Sequence, residues 1–183
     1  NVLFAGNMGA AQALLPVIDA AMLVEERFPA IQFVFMGGGV DLPLLKEKCE
    51  ELGLSNVRFL PKRPISEVSP VLSLADVLLV HLRDDPLFEF HMPGKTQAYL
   101  AVGRPVLMAV RGYASALITD IGAGLGCTPG DPRSIADAVL QLYEVPEKER
   151  TRMGERGRRF YEEDCSMKVG VERYEEVFRA AIR

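Results

Sequence analysis

The 183 residues are 49% hydrophobic and 25% charged, a composition that suits one substantial core and excludes disordered and fibrous chains. A formal net charge of -4 argues against a general nucleic-acid binder or a basic membrane-surface protein, so any polyanion site must be built locally. The longest apolar run, residues 71–82, is interrupted by Asp76 and falls short of the roughly 20 residues that a membrane span requires.

In chain order, short β-branched and aromatic runs alternate with longer amphipathic segments, the signature of βαβ units winding a parallel sheet. Residues 2–5 predict a strand, followed by the turn Gly6-Asn7-Met8-Gly9 and an Ala- and Leu-rich helix over 11–27. Residues 31–36 predict a strand buried on both faces, ending in Gly37-Gly38-Gly39. Asp41 then caps a helix to residue 52, with Gly53 as its stop. Residues 57–60 predict a third strand entering the loop Pro61-Lys62-Arg63-Pro64. Ser66 and Glu67 open a short helix ending at residue 75, and residues 76–80 form the fourth strand. After a loop over 83–93 come a helix over 94–102, a strand over 105–110, a helix over 114–120 and a short strand over 126–128. Pro132 suits the first turn of a helix to residue 143, and residues 147–163 and 167–182 continue as charged helices. The alternation predicts an α/β fold: a doubly wound, six-stranded parallel sheet with flanking helices, in strand order 3-2-1-4-5-6. Every Gly-rich or charged loop then falls on the rim at the carboxyl ends of the strands, where such sheets bind ligands.

Cys49, Cys127 and Cys165 are odd in number, widely spaced and without a C-x-x-C pair. That pattern fits reduced cytosolic thiols better than disulfides or a zinc site. The opening Asn-Val-Leu-Phe has no initiator Met, basic n-region or cleavage site, so the expectation is a domain excised from a longer polypeptide.

Two constellations stand on the predicted rim. Gly6-Asn7-Met8-Gly9 joins a strand to a helix, and glycines there let backbone N–H groups approach a phosphate, although a ligand-free tight turn needs them equally. It is neither G-x-G-x-x-G nor a P-loop, and no acidic ribose ligand follows Met36. Pro93-Gly94-Lys95-Thr96-Gln97 opens a predicted helix; the amides of residues 94–97 point out of its first turn and Lys95 adds a positive charge that opposes the helix dipole unless an anion is bound. Lys62 and Arg63, between two prolines, form a stiff basic loop able to stack on or bond to a base. His81 and His91 lack carboxylates at metal-ligand spacing, which favours ordinary packing or loop histidines. Ser115 and Ser134 have no nucleophile-elbow context.

Taken together, Phe4-Ala5-Gly6-Asn7-Met8-Gly9 with Gln12, Phe33 to Gly39, Asn56 to Leu60, Ala75-Asp76-Val77, Pro93-Gly94-Lys95, Tyr99 to Val106 and Pro129-Gly130-Asp131 resemble the C-terminal, Rossmann-like donor-binding half of GT-B fold glycosyltransferases of family 4. The likeness is greatest to the bacterial enzymes of polysaccharide, capsule and O-antigen synthesis. The resemblance implies a nucleotide diphosphate sugar, commonly a UDP-sugar, and transfer with retention to a glycan or lipid-linked acceptor, without a metal or cofactor. Base and ribose would lie near Lys62, Arg63 and Pro64, and the diphosphate between Gly9 and the turn Gly94 to Gln97. Lys95 would be the catalytic cation, and Gly6, Asn7, Met8, Gln12, Gly37, Gly38 and Thr96 would complete the substrate contacts. It also implies a donor-binding domain over residues 1–160 and a tail over 161–183 that packs on an N-terminal acceptor domain of the same full-length chain. Nucleic acid is not among the implied partners; the location is cytoplasmic, with peripheral association of the full-length enzyme at the inner face of the membrane.

Two departures stand out. Many members carry two glutamates seven residues apart, the second bonding the ribose hydroxyls, and that position is Ala98 here, preceded by Gln97. Many also place an Arg and a Lys in and after the first glycine turn, where this chain has Asn7 and Ala11. The alternatives are a UDP-sugar 2-epimerase, which needs acids at the cleft such as Glu89, Asp84 and Asp85, and a silent nucleotide-sugar binding module.

Overall fold

The computed structural model describes residues 1–181. Six strands, β1 (Val2–Asn7), β2 (Phe33–Gly38), β3 (Val57–Pro61), β4 (Val77–His81), β5 (Val106–Ala109) and β6 (Gly124–Gly126), form one parallel sheet in the order β3-β2-β1-β4-β5-β6. Between and after them run helices α1 (Leu15–Glu25), α2 (Leu42–Glu51), α3 (Ile65–Leu72), α4 (Gly94–Val102), α5 (Tyr113–Asp120), α6 (Pro132–Glu144), α7 (Glu147–Phe160) and α8 (Met167–Ala181). The predicted topology and strand order are those observed.

The period-2 geometry of a strand divides each one between two cores. Val2 and Phe4 join Phe33, Phe35 and Leu79 under α1, α2 and α6, whereas Leu3 and Ala5 join Leu78, Val80 and Met108 under α3, α4 and α5. α1 packs on α6 on one face, and α4 packs on α7 on the other.

The boundaries differ from the sequence reading where tertiary contacts compete with local propensity. The helix predicted from residue 11 begins at Leu15, because residues 9–13 form a separate turn in which the amides of Gln12 and Ala13 both donate to Gly9 O, at 2.9 and 3.1 Å. The sixth strand lies at Gly124–Gly126, two residues earlier than predicted, with Gly124 seated against Val106, where a Cβ would overlap the Val106 carbonyl. Asp41 occupies the α2 N-cap position but makes no side-chain cap hydrogen bond, and Pro64 rather than Ser66 precedes α3. The last two helices are divided by a π turn at Tyr161–Cys165. The predicted end at Ile182, and the tail's last residue Arg183, lie outside the described residues.

Candidate active site at the parting of β1 and β4

β1 pairs with β2 along its whole length, to Asn7 and Gly38, but with β4 only at Val2 and Leu3. Beyond Leu3 the two strands part, as they must where consecutive crossovers leave on opposite faces of the sheet. The backbone of Ala5 therefore lacks a ladder partner on that side. Tyr99, buried on α4, supplies one: the Ala5 N–H donates to its hydroxyl at 2.8 Å, and the hydroxyl donates to Ala5 O at 3.2 Å. Burial pushes the Tyr99 phenol well above its ordinary range, so it stays protonated and keeps donating. Tyr99→Phe strands both Ala5 groups in a buried place, and is expected to destabilise the chain by about 1–3 kcal/mol in thermal or denaturant unfolding. An unchanged unfolding midpoint would show that the hydroxyl does not hold the crevice.

Lys95 closes the open end of this crevice. α4 begins at Gly94 after buried Pro93 and ends at Gly103, whose φ of +75° gives the left-handed stop, so its predicted limits are those observed. From the first turn, the Lys95 side chain folds back over β1. Its Nζ lies 3.6 Å from the Phe4 ring centroid, and a Cβ at Gly6 would stand 3.0 Å from it. The glycine turn and the Lys95 turn, far apart in the sequence, thus meet at one ammonium. That ammonium is buried and has no hydrogen-bond partner among the described residues; burial brings its pKa down from 10.5 to about 8. The hydroxyl of the next residue, Thr96, is fully buried and equally unpartnered. The Thr96 amide, expected to point outward, donates to Pro93 O at 2.8 Å, which leaves Gly94 and Lys95 at the helix mouth without a preceding intrahelical acceptor.

The turn after β1 adds further donors. Among the described residues the amides of Gly9, Ala10 and Ala11 donate to no backbone or side-chain acceptor. Asn7 Nδ2 donates to Gln12 Oε1 at 2.9 Å, bracing the turn from end to end. Met8 points into the core, and both its backbone groups are used, its N–H by Gly38 O at 2.8 Å and its carbonyl by the Asp41 amide at 3.0 Å. Gly37 lies so close to β1 that a Cβ would overlap the Gly6 carbonyl, whereas Gly38 and Gly94 face open space. Three successive free amides, on the turn that follows the contact of Lys95 with Gly6, are donors of the kind that bind anions.

Lys62, Arg63 and Pro64 are exposed on the loop between β3 and α3, with Arg63 paired to Glu67 at 3.4 Å. Gln97 and Ala98 are exposed on α4. Of the candidate acids, Asp84 pairs with Arg111 at 3.0 Å, Asp85 pairs with Arg83 at 2.9 Å and accepts from the Leu87 amide, and Glu89 is exposed. No group of three or more His, Cys, Asp or Glu among the described residues is placed to hold a metal ion. Tyr99, Phe4 and His81 were not singled out by sequence reasoning as site residues. Only a hydroxyl on an otherwise apolar helix face marks Tyr99, and nothing local marks Phe4.

A six-stranded, doubly wound parallel sheet with an unpartnered lysine beside the glycine turn at its switch point defines the class as a Rossmann-like domain. The sequence matches the family described as "Glycosyl transferases group 1" over residues 1–145, and the chain belongs to that family. It is 28% identical over 144 residues to the probable glycosyltransferase WbjE of Pseudomonas aeruginosa, covering 78% of this chain and 35% of that protein. The chain spans about a third of the length of the curated relatives it matches. Among solved structures, a glycosyltransferase from Rickettsia africae superposes with a TM-score of 0.83 at 13% identity, over 100% of this chain and 48% of that one. Anabaena HepE in complex with UDP-glucose gives 0.80 at 16% identity, over 98% and 48% respectively. The fold is that of the GT-B glycosyltransferases. No described helix is long and apolar enough to cross a membrane.

Proposed function

We propose that this chain is the donor-binding half of a retaining glycosyltransferase that takes a sugar from a nucleotide diphosphate sugar, most simply a UDP-sugar, to a glycan or lipid-linked acceptor of cell-surface polysaccharide. The observation that carries this reading is the unpartnered Lys95 ammonium beside Gly6, at the head of the turn whose amides at residues 9–11 are free. Departure of a diphosphate builds negative charge there, and donors already in place stabilise that charge more than the ground state. β3 is two strands from β1, about 10 Å at the usual strand spacing, so a nucleoside reaching from the turn arrives at Lys62, Arg63 and Pro64. The chemistry runs without a metal or cofactor, Lys95 carrying the charge.

The remainder of the enzyme is an N-terminal acceptor domain of the same chain. α8 carries Val171, Tyr174, Val177 and Phe178 exposed and has no buried residue; this apolar face is where the tail crosses to that domain. The location is the cytoplasm, with the full-length enzyme at the inner face of the membrane.

Titration with UDP and with uridine tests the reading, because the anion site should bind the first far more tightly than the second. Equal binding of the two, or no binding of UDP at millimolar concentration, would overturn it. The ribose supplies a separate test at Ala98. A carboxylate there bonds both ribose hydroxyls if the pocket keeps the family's geometry, so Ala98→Glu is expected to tighten UDP by about 1–3 kcal/mol and to leave inorganic pyrophosphate unaffected. Weaker UDP binding in the folded variant, together with weakening by Gln97→Ala, would show that this chain holds its ribose in another way.

A further inference from the structure

His81, the last residue of β4, is fully buried and makes two hydrogen bonds that join separate rim loops. Nδ1 lies 2.7 Å from Gln12 O, and the Gly130 amide donates to Nε2 at 3.2 Å. The carbonyl requires a proton on Nδ1 and the amide requires a lone pair on Nε2, so the partners select one tautomer. Burial, with a smaller contribution from the Lys95 charge, lowers the imidazole pKa and keeps that tautomer at neutral pH.

The Gln12 carbonyl belongs to the peptide that leads into Ala13, the one non-glycine described residue with positive φ, at +44°. Alanine holds that conformation only where its surroundings impose it. Two contacts from β4 and its continuation impose it here: the His81 ring on Gln12 O, and the Arg83 amide, which donates to Ala11 O at 2.9 Å. The same peptides close the turn whose amides at residues 9–11 are free.

We propose that His81 is a positioning residue of the donor site, fixing the turn of residues 9–13 through Gln12 O and tying it to the loop between β6 and α6 through Gly130. The proposal rests on the reading of that turn as a diphosphate cradle. A histidine that only fills the core would be replaceable by any side chain of similar shape. A positioning histidine is replaceable only by one that keeps the bond to Gln12.

Side-chain geometry separates the two bonds, since an Asn amide falls near the place of Nδ1 and a Gln amide near that of Nε2. His81→Asn keeps the donor to Gln12, His81→Gln keeps the acceptor for Gly130, and His81→Leu keeps neither. UDP affinity by calorimetry and backbone amide signals by NMR are measured on the 183-residue chain and each variant, with thermal unfolding to confirm the fold. The expected result is UDP affinity within threefold of the parent for His81→Asn and at least tenfold weaker for His81→Gln and His81→Leu. The signals of residues 9–13 are displaced only in the latter two, and that of Gly130 in His81→Asn and His81→Leu. Equal weakening in folded His81→Asn and His81→Gln overturns the proposal, and so does parental affinity in His81→Leu. If His81→Leu does not fold, the Asn and Gln pair decides. If the parent chain binds no UDP, the donor reading fails by itself, and the displacement of the signals of residues 9–13 in His81→Gln but not in His81→Asn still decides the role of His81.

Discussion

Lys95→Met is expected to weaken UDP binding by about 1.5–3 kcal/mol, the range of a charge-assisted contact, and at the same time to stabilise the unliganded chain. The opposite signs follow from one fact. The Lys95 ammonium is buried without a hydrogen-bond partner, and its pKa lies at about 8 instead of 10.5. Below pH 8 the folded chain holds a charge that the unfolded chain would solvate better, and the gap corresponds to at most about 3 kcal/mol at neutral pH. The attraction between the ammonium and the Phe4 ring is part of what holds it there. Between pH 8 and 10.5 the unfolded state binds more protons than the folded state, so stability rises with pH across that window and levels off above it.

Binding runs the other way. A diphosphate favours the charged form and raises the Lys95 pKa, so the complex takes up a proton and UDP affinity falls as pH rises above about 8. In Lys95→Met the Lys95-linked part of that pH dependence should vanish. Calorimetry in buffers of different ionisation enthalpy reads the proton uptake, and thermal unfolding reads the stability. Unchanged UDP affinity would remove Lys95 from the site, and a less stable methionine variant would show that its ammonium is not strained by burial.

Gly9→Val is expected to abolish donor binding while leaving a folded chain. Gly9 does not have a left-handed φ, so a β-branched residue is not excluded by its backbone. The obstacle is space. A Cβ at Gly9 stands 3.0 Å from Asn7 Nδ2, 3.6 Å from Val40 Cγ2 and 3.8 Å from Gln12 Oε1, so the added methyls push apart the Asn7 to Gln12 bond and fill the approach to the free amides of residues 9–11. The expected cost in stability is about 1 kcal/mol, that of one exposed hydrogen bond, against a loss of UDP affinity beyond 100-fold, about 2.7 kcal/mol or more. A Gly9→Val chain that binds UDP as the parent does would refute the phosphate role of the turn.

The alternation of strands and helices, the strand order and the limits of α4 were legible in the amino-acid sequence, because each has a local cause. Continuous apolar runs demand a sheet covered on both faces, consecutive parallel strands demand right-handed crossovers, and α4 is bounded by Pro93 and Gly103 at its two ends. The same local signals placed the glycine turn and Lys95 on one rim. They did not say that Lys95 turns inward over Phe4, that Tyr99 completes the ladder of Ala5, or that His81 joins Gln12 to Gly130. The partners in those last two cases are 94, 69 and 49 positions apart, and no window of sequence contains both ends of any of them. The late start of α1 has the same origin: residues 11–14 read as Ala-Gln-Ala-Leu, good helix formers, yet Ala13 takes a positive φ because β4 and the segment after it hold the carbonyls of Gln12 and Ala11. Propensity differences of a few tenths of a kcal/mol per residue yield there to two hydrogen bonds, of which the one to the buried His81 ring would cost about 1–3 kcal/mol to lose, and those bonds exist only once the sheet has assembled.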